Sequence, residues 1–409
     1  MKLPELLMPA GNLETLKTAV IYGADAVYIG GEAFSLRAKA DNFDRAAMEE
    51  GIAFAHARGA RVYVTVNIFA HNADIRAAKA YLRELGEIGP DALIVSDPGI
   101  FTLCRRLLPE MELHISTQMN NTNYETFRFW HGLGAKRVVT ARELSLSEIR
   151  EIREKTPEDL EIESFVHGAM CISYSGRCLL SSFMAGRDAN RGACTHPCRW
   201  KYALVEEKRP GSYFPIEEDE RGSYILNSKD LCMVSHLPEL IDAGVSSLKV
   251  EGRMKTQLYV ATVARTYRRA LDELAKDEAL YRSHLPVYEA EVRRCTHREF
   301  TTGFYFGKPD SEAQIYDSST YVRGSVYLGM AEQVFPENWL LLEQKNKFSV
   351  GDEVELIKPD FTTVRARVLG MKDYESGAEV SCCPHPKQKL LVKLDQHPEP
   401  YDMMRETLV

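Results

Sequence analysis

The chain has 409 residues, 44% hydrophobic and 27% charged, with 51 Lys and Arg against 59 Asp and Glu for a formal net charge of -8. That composition excludes a disordered chain, the length suits one large α/β domain plus a smaller one, and the acidic balance excludes general electrostatic attraction to nucleic acid. The opening "MKLPELLMPAGNLETLKTAV" lacks signal-peptide features and no apolar stretch approaches about 20 residues, so a cytoplasmic protein without membrane segments is expected.

Eight short apolar runs follow one another along the chain: "ELLMPA" at Glu5, "AVYIGG" at Ala26, "RVYVTVNIF" at Arg61, "ALIVSD" at Ala92, "ELHISTQ" at Glu112, "RVVTAREL" at Arg137, "EIESFVHG" at Glu161 and "SLKVEGR" at Ser247. Amphipathic spacers separate them, with helix punctuation such as Asn12 before and Gly23 after the first. Eight strands alternating with helices predict a closed (β/α)8 TIM-like barrel, and no glycine-rich dinucleotide fingerprint follows the first strand. The division expected is a barrel over residues 1–310 and a small C-terminal β-barrel over 311–409, where short alternating runs are cut by Gly, Pro, Asn and Asp. About 80 residues separate the last two barrel runs, and connections that long are usually functional. This insertion, about 168–245, holds Cys171, Cys178, Cys194, Cys198 and Cys232, five of the nine cysteines.

Active sites of such barrels gather at the carboxyl ends of the strands. Polar residues there are Asn67, Ser96, Asp97, Ser116, Gln118, Arg142, Glu143, His167, Glu251 and Arg253. Arg142 with Arg253 suits bidentate recognition of a carboxylate, and His167, Glu143 and Glu251 are the candidate acid-base groups. The plainer alternatives are rim salt bridges for Arg142 and Glu143 and a packing role for His167.

Nine cysteines, an odd number, argue against a fully paired disulfide framework in a reducing compartment. The spacings Cys-x6-Cys and Cys-x3-Cys do not form the short knuckles usual for structural zinc. Irregularly spaced thiols on a glycine-broken segment suit an iron-sulfur cluster better, with zinc and uncoordinated thiols left open. Between Cys171 and Arg209 stand Arg177, Arg187, Arg191, Arg199, Lys201, Lys208 and Arg209 against Asp188, Glu206 and Glu207, a local basic excess in an acidic chain.

The stretch "ESFVHGAMCISYSGRCLLS", followed by "GRDANRGACTHPCRWKY", "NSKDLC" and "KVEGRMKT", resembles the U32 family, catalogued as collagenase-like peptidases, and the likeness extends over essentially the whole chain. Family members of this layout resemble proteins that hydroxylate RNA, notably with prephenate at the wobble uridine of tRNA; a related branch acts on 23S ribosomal RNA. The resemblance implies a 4Fe-4S cluster on Cys171, Cys178, Cys194 and Cys232, with Cys198 as alternative ligand. It further implies prephenate as co-substrate at a rim formed by Asn67, Gln118, Arg142, Arg253 and Lys255. The tRNA anticodon loop would meet Arg187, Arg191, Arg199 and Lys201, with Tyr174 or Trp200 as stacking candidates. A paralogous U32 partner or a homo-oligomer is also compatible. The competing expectations are a peptidase using His167 with a cysteine or carboxylate, and a zinc-holding RNA accessory protein.

Overall fold

The computed structural model describes residues 3–32, 34–35, 42–171, 173–200, 203–205, 213–215, 227–307, 314–315, 322–383, 385 and 387–408, without the side chains of Arg199 and of residues 203–205, 213–215, 227–228 and 314–315. Contacts divide the chain into two units.

The first unit comprises the described residues of Met1–Val20, Ala24–Lys255 and Arg298–Tyr321. Its eight barrel strands are β1 (Glu5–Pro9), β2 (Ala26–Gly30), β3 (Arg61–Val66), β4 (Ala92–Val95), β5 (Glu112–Ile115), β6 (Arg137–Val139), β7 (Glu161–Ala169) and β8 (Ser247–Val250). Each pairs in parallel with the next, and β8 closes the ring onto both β7 and β1. Helices cover these strands on the outside and the barrel fills its own interior, so the strands are buried on both faces and read as nearly unbroken apolar runs. Asp44 and Asp97 cap the helices Arg45–His56 and Pro98–Leu107, and Ser145 with Glu148 forms a capping box on Leu146–Glu154.

Leu7, Ala26, Tyr28, Tyr63, Ala92 and Ile94 form one buried cluster on these strands. Toward their amino ends Arg137 is held by three carboxylates, with Nη1 2.6 Å from Glu5 and 3.0 Å from Glu163 and Nε 2.8 Å from Glu161. A buried guanidinium requires such partners, because desolvating it without them costs several kcal/mol.

The long connection after β7 contains the helix Leu180–Ala185 and returns through the short strand Asp230–Cys232. That strand lies antiparallel to the end of β7, with Cys232 opposite His167, and parallel to Phe300–Thr301.

The second unit comprises the described residues of Ile21–Gly23, Thr256–His297 and Val322–Val409. It holds the helices Gln257–Lys276, Glu278–Ser283 and Leu285–Val292 and a seven-stranded antiparallel sheet around a core that includes Leu328, Leu342, Leu356, Val368 and Val392. Arg405 binds Glu291 through both terminal nitrogens, at 2.8 and 3.1 Å, and Arg265 reaches Glu291 at 2.6 Å. This network explains why contacts group these helices with the sheet, whereas the sequence division at about residue 310 assigned them to the barrel chain.

Candidate functional site

A cavity of about 440 Å³ lies at the carboxyl ends of the barrel strands. The strand-end residues Asn67, Gln118, Arg142, Glu251 and Arg253 line it, as does Lys255. These residues come from four chain segments far apart in sequence, which meet because parallel strands deliver their ends to one rim.

Ser96 orients the polar wall, its Oγ lying 3.0 Å from Gln118 Oε1 and 3.1 Å from the Asn67 carbonyl. Asn67 Oδ1 is buried and accepts no hydrogen bond among the described residues. Arg142 donates to the Ala169 carbonyl at 2.8 Å and to Glu251 Oε2 at 2.9 Å, and its guanidinium lies 3.9 Å from the Phe165 ring centre. Its buried Nε has no acceptor among the described residues. Arg253 is buried, donating from Nη1 to Ser35 Oγ at 2.7 Å. Gly30 makes room for it, since a Cβ there would fall 1.9 Å from Arg253 Nη1.

Lys249 also lines the cavity, bound to Glu163 at 2.7 Å and 4.5 Å from the centre of the Tyr28 ring. Burial, the largest influence, would raise the Glu163 carboxyl, but Lys249, Arg137 and His114 together outweigh it and hold it down at about 2. Sequence reasoning passed over Lys249; the readable signal was a cation two residues before Glu251 in the apolar run "SLKVEGR".

The cysteine-bearing segment closes over this rim. Asn120 donates to the Ser175 carbonyl at 3.0 Å and accepts from Arg177 Nε at 2.7 Å, while Arg191 is fastened to Asp74 by two bonds at 2.9 and 3.2 Å. Gly176, at φ +74°, lets the chain turn where a Cβ would meet the Phe69 ring at 2.8 Å. Cys171, Cys178, Cys194 and Cys198 line the cavity, and none of the nine cysteines forms a disulfide. The His196 backbone N–H donates to Cys194 Sγ at 3.4 Å. Cys232 instead sits on the returning strand beside β7, so the four thiols on the cavity include Cys198 in its place. Among the described residues, no three His, Cys, Asp or Glu side chains are gathered so as to hold a metal ion. The donor set is nonetheless the chemistry an iron-sulfur cluster takes, thiols on one segment facing one cavity.

Two acid-base candidates lie elsewhere. The β7–β8 register passes from Lys249↔Phe165 to Val250↔His167, so β7 carries one extra residue. That bulge breaks the alternation that would have placed His167 on the face of Phe165. His167 is buried with its ring 5.4 Å from that of Phe300, and it is not part of the cavity lining. Glu143 lines a neighbouring cleft that shares Cys171 and Tyr174 with the main cavity, and burial pushes its carboxyl above the ordinary value. Of the basic residues, Arg187 is half-buried and Arg191 is paired as above. The Arg199 side chain and Lys201 lie outside the described residues.

No helix among the described residues is long and apolar enough to cross a membrane. The profile of Peptidase family U32 matches residues 11–315, and that of the Peptidase family U32 C-terminal domain matches residues 323–405. The chain is 42% identical over 406 residues to tRNA hydroxylation protein P1 of Bacillus subtilis (strain 168), covering 99% of this chain and 95% of that protein. It is 41% identical to tRNA hydroxylation protein P of Escherichia coli (strain K12), covering 87% and 86%. Similarity to the 23S rRNA 5-hydroxycytidine C2501 synthase of Escherichia coli (strain K12) is 40%, over 67% of this chain and 40% of that protein. The barrel, the C-terminal sheet and two profiles spanning both agree with relatives matched almost end to end, and the chain belongs to peptidase family U32.

Proposed function

We propose that this chain is an RNA-modifying enzyme that hydroxylates the wobble uridine of tRNA to 5-hydroxyuridine, with prephenate as co-substrate and a 4Fe-4S cluster as cofactor. The observation that carries this reading is one cavity lined both by Cys171, Cys178 and Cys194, with the alternative ligand Cys198, and by Arg142, Arg253, Lys249 and Lys255. The names of the bacterial relatives, tRNA hydroxylation proteins P1 and P, support the RNA half of it.

In this reading Arg142 and Arg253 bind the carboxylates of the co-substrate, Arg142 offering the Nε proton that has no acceptor. Asn67 Oδ1 accepts from its hydroxyl, and Tyr28, Phe165 and Ile94 cover its ring. Glu251, kept beside Arg142, serves as a proton acceptor at Oε2; Glu143, which keeps its proton to higher pH, serves as the donor from the adjoining cleft. Cys171, Cys178, Cys194 and Cys232 would hold the cluster, with Cys198 as the alternative. When bound, it supplies one-electron or Lewis-acid chemistry beside the pocket. An anticodon loop presents its bases unpaired, so the uridine enters without duplex opening.

The test is nucleoside mass spectrometry of tRNA and 23S rRNA from cells lacking the gene. Loss of 5-hydroxyuridine from tRNA, restored by the wild-type gene but not by Arg142→Ala, is expected. Unchanged tRNA would overturn the reading, and a change confined to 23S rRNA would move it to ribosomal RNA.

A further inference from the structure

Leu179, Phe183 and Met184 stand on the cysteine-bearing segment with 69%, 87% and 41% of their surface exposed. Burying large apolar side chains is favourable, so a group of them left in water marks a surface that another molecule covers. The position of this group is informative. Leu180, between Leu179 and Phe183, lines the cavity, so the apolar strip begins where the cavity wall ends. Tyr174, 46% exposed, lines the cavity as well.

Arg177 and Arg187 flank the strip in sequence, and the one carboxylate next to them, Asp188, is turned to the Asn190 backbone N–H. Arg177 donates to Asn120 Oδ1, a neutral acceptor, and neither Arg177 nor Arg187 has a carboxylate partner among the described residues. Guanidiniums whose charge is not neutralised, beside an exposed aromatic ring at the mouth of a pocket, match a single-stranded nucleic acid: phosphates meet the cations and bases stack on the ring.

We propose that Phe183, flanked by Leu179, is the platform on which the nucleotide next to the modified base stacks, with Arg177 and Arg187 taking the adjoining phosphates. The proposal rests on the RNA reading above and adds the residues that hold the RNA outside the pocket.

The test uses the full-length chain and a stem-loop RNA of the anticodon arm carrying 2-aminopurine beside the target uridine. Wild-type protein is expected to bind in a salt-dependent way and to change the 2-aminopurine fluorescence. Phe183→Ala should weaken binding by about tenfold or more and abolish the fluorescence change, and Phe183→Trp should restore both. Arg187→Gln should lower the salt dependence by about one phosphate contact. Unaltered melting of Phe183→Ala is the folding control, since the side chain is exposed.

Equal affinity and fluorescence for wild type and Phe183→Ala would overturn the platform while leaving the RNA reading in place. A shift of Phe183→Ala to a smaller species in sedimentation, with RNA binding unchanged, would overturn it in favour of a contact between copies of the chain. Wild-type protein that binds no stem-loop RNA would remove the RNA reading and the platform with it.

Discussion

Arg142 donates from Nη2 to Glu251 Oε2 at 2.9 Å while its buried Nε has no acceptor among the described residues. A guanidinium fixed on one side and unsatisfied on another is prepared for an anionic ligand, because the ordering is done before binding. Arg142→Lys keeps the charge and loses the fork, and should lower kcat/KM for the co-substrate by about tenfold; Arg142→Ala should lower it by about a hundredfold. Steady-state kinetics of hydroxylation check this. Equal values for wild type and Arg142→Ala would remove the residue from the binding site.

The Lys249–Glu163 pair sets an acid limit on the barrel. Glu163 titrates at about 2 against an ordinary 4.5, so the stability it contributes is full above about pH 4.5 and is lost as the pH falls toward 2. Urea unfolding from pH 7 down to 2.5 should show a steeper loss for wild type than for Glu163→Gln. Glu163→Ala, which leaves Lys249 and Arg137 buried with one carboxylate fewer, should cost about 3–5 kcal/mol at neutral pH.

The thiols are separable by metal content. Protein purified without oxygen should carry about four irons with acid-labile sulfide. Cys171→Ala, Cys178→Ala, Cys194→Ala and Cys232→Ala should each lower it, and Cys198→Ala should keep it. Loss in Cys198→Ala with retention in Cys232→Ala would exchange the two assignments, as the cavity lining would favour.

In the second unit, Glu291 serves two buried arginines at once. Glu291→Ala would leave Arg405 with Glu355 as its carboxylate and Arg265 with only the Lys358 and Thr362 carbonyls and Thr363 Oγ1, and should destabilise that unit by about 3 kcal/mol. Differential scanning calorimetry should show its transition moved downward, whereas Glu353→Ala, which breaks an exposed pair with Arg367, should shift it by little more than 1 °C.

The barrel was legible because parallel strands covered on both faces must be apolar throughout, and because residues such as Asn12 and Asp44 punctuate the helices between them. The rule that sites lie at strand ends found Asn67, Gln118, Arg142, Glu251 and Arg253, all on the cavity. It placed His167 there as well, since the extra residue between Phe165 and His167 leaves no mark in composition or spacing. Lys249 was missed for the opposite reason: an isolated cation in an apolar run gives no sign of the carboxylate, Glu163, that lies 86 positions away. The grouping of the helices after β8 with the C-terminal sheet depends likewise on Glu291 meeting Arg405, a pairing no local pattern reveals.

The returning strand Asp230–Cys232 is stitched to β7 by backbone hydrogen bonds, whereas the segment carrying Cys171 to Cys198 is tethered to the rim through side chains such as Asn120 and Asp74. The two segments are thus held to the barrel by different kinds of bond. A ligand bound by thiols of both would tie them to each other as well. Resistance of the helix Leu180–Ala185 and its flanks to proteases would then serve as a gauge of occupancy, readable without assaying the reaction at all.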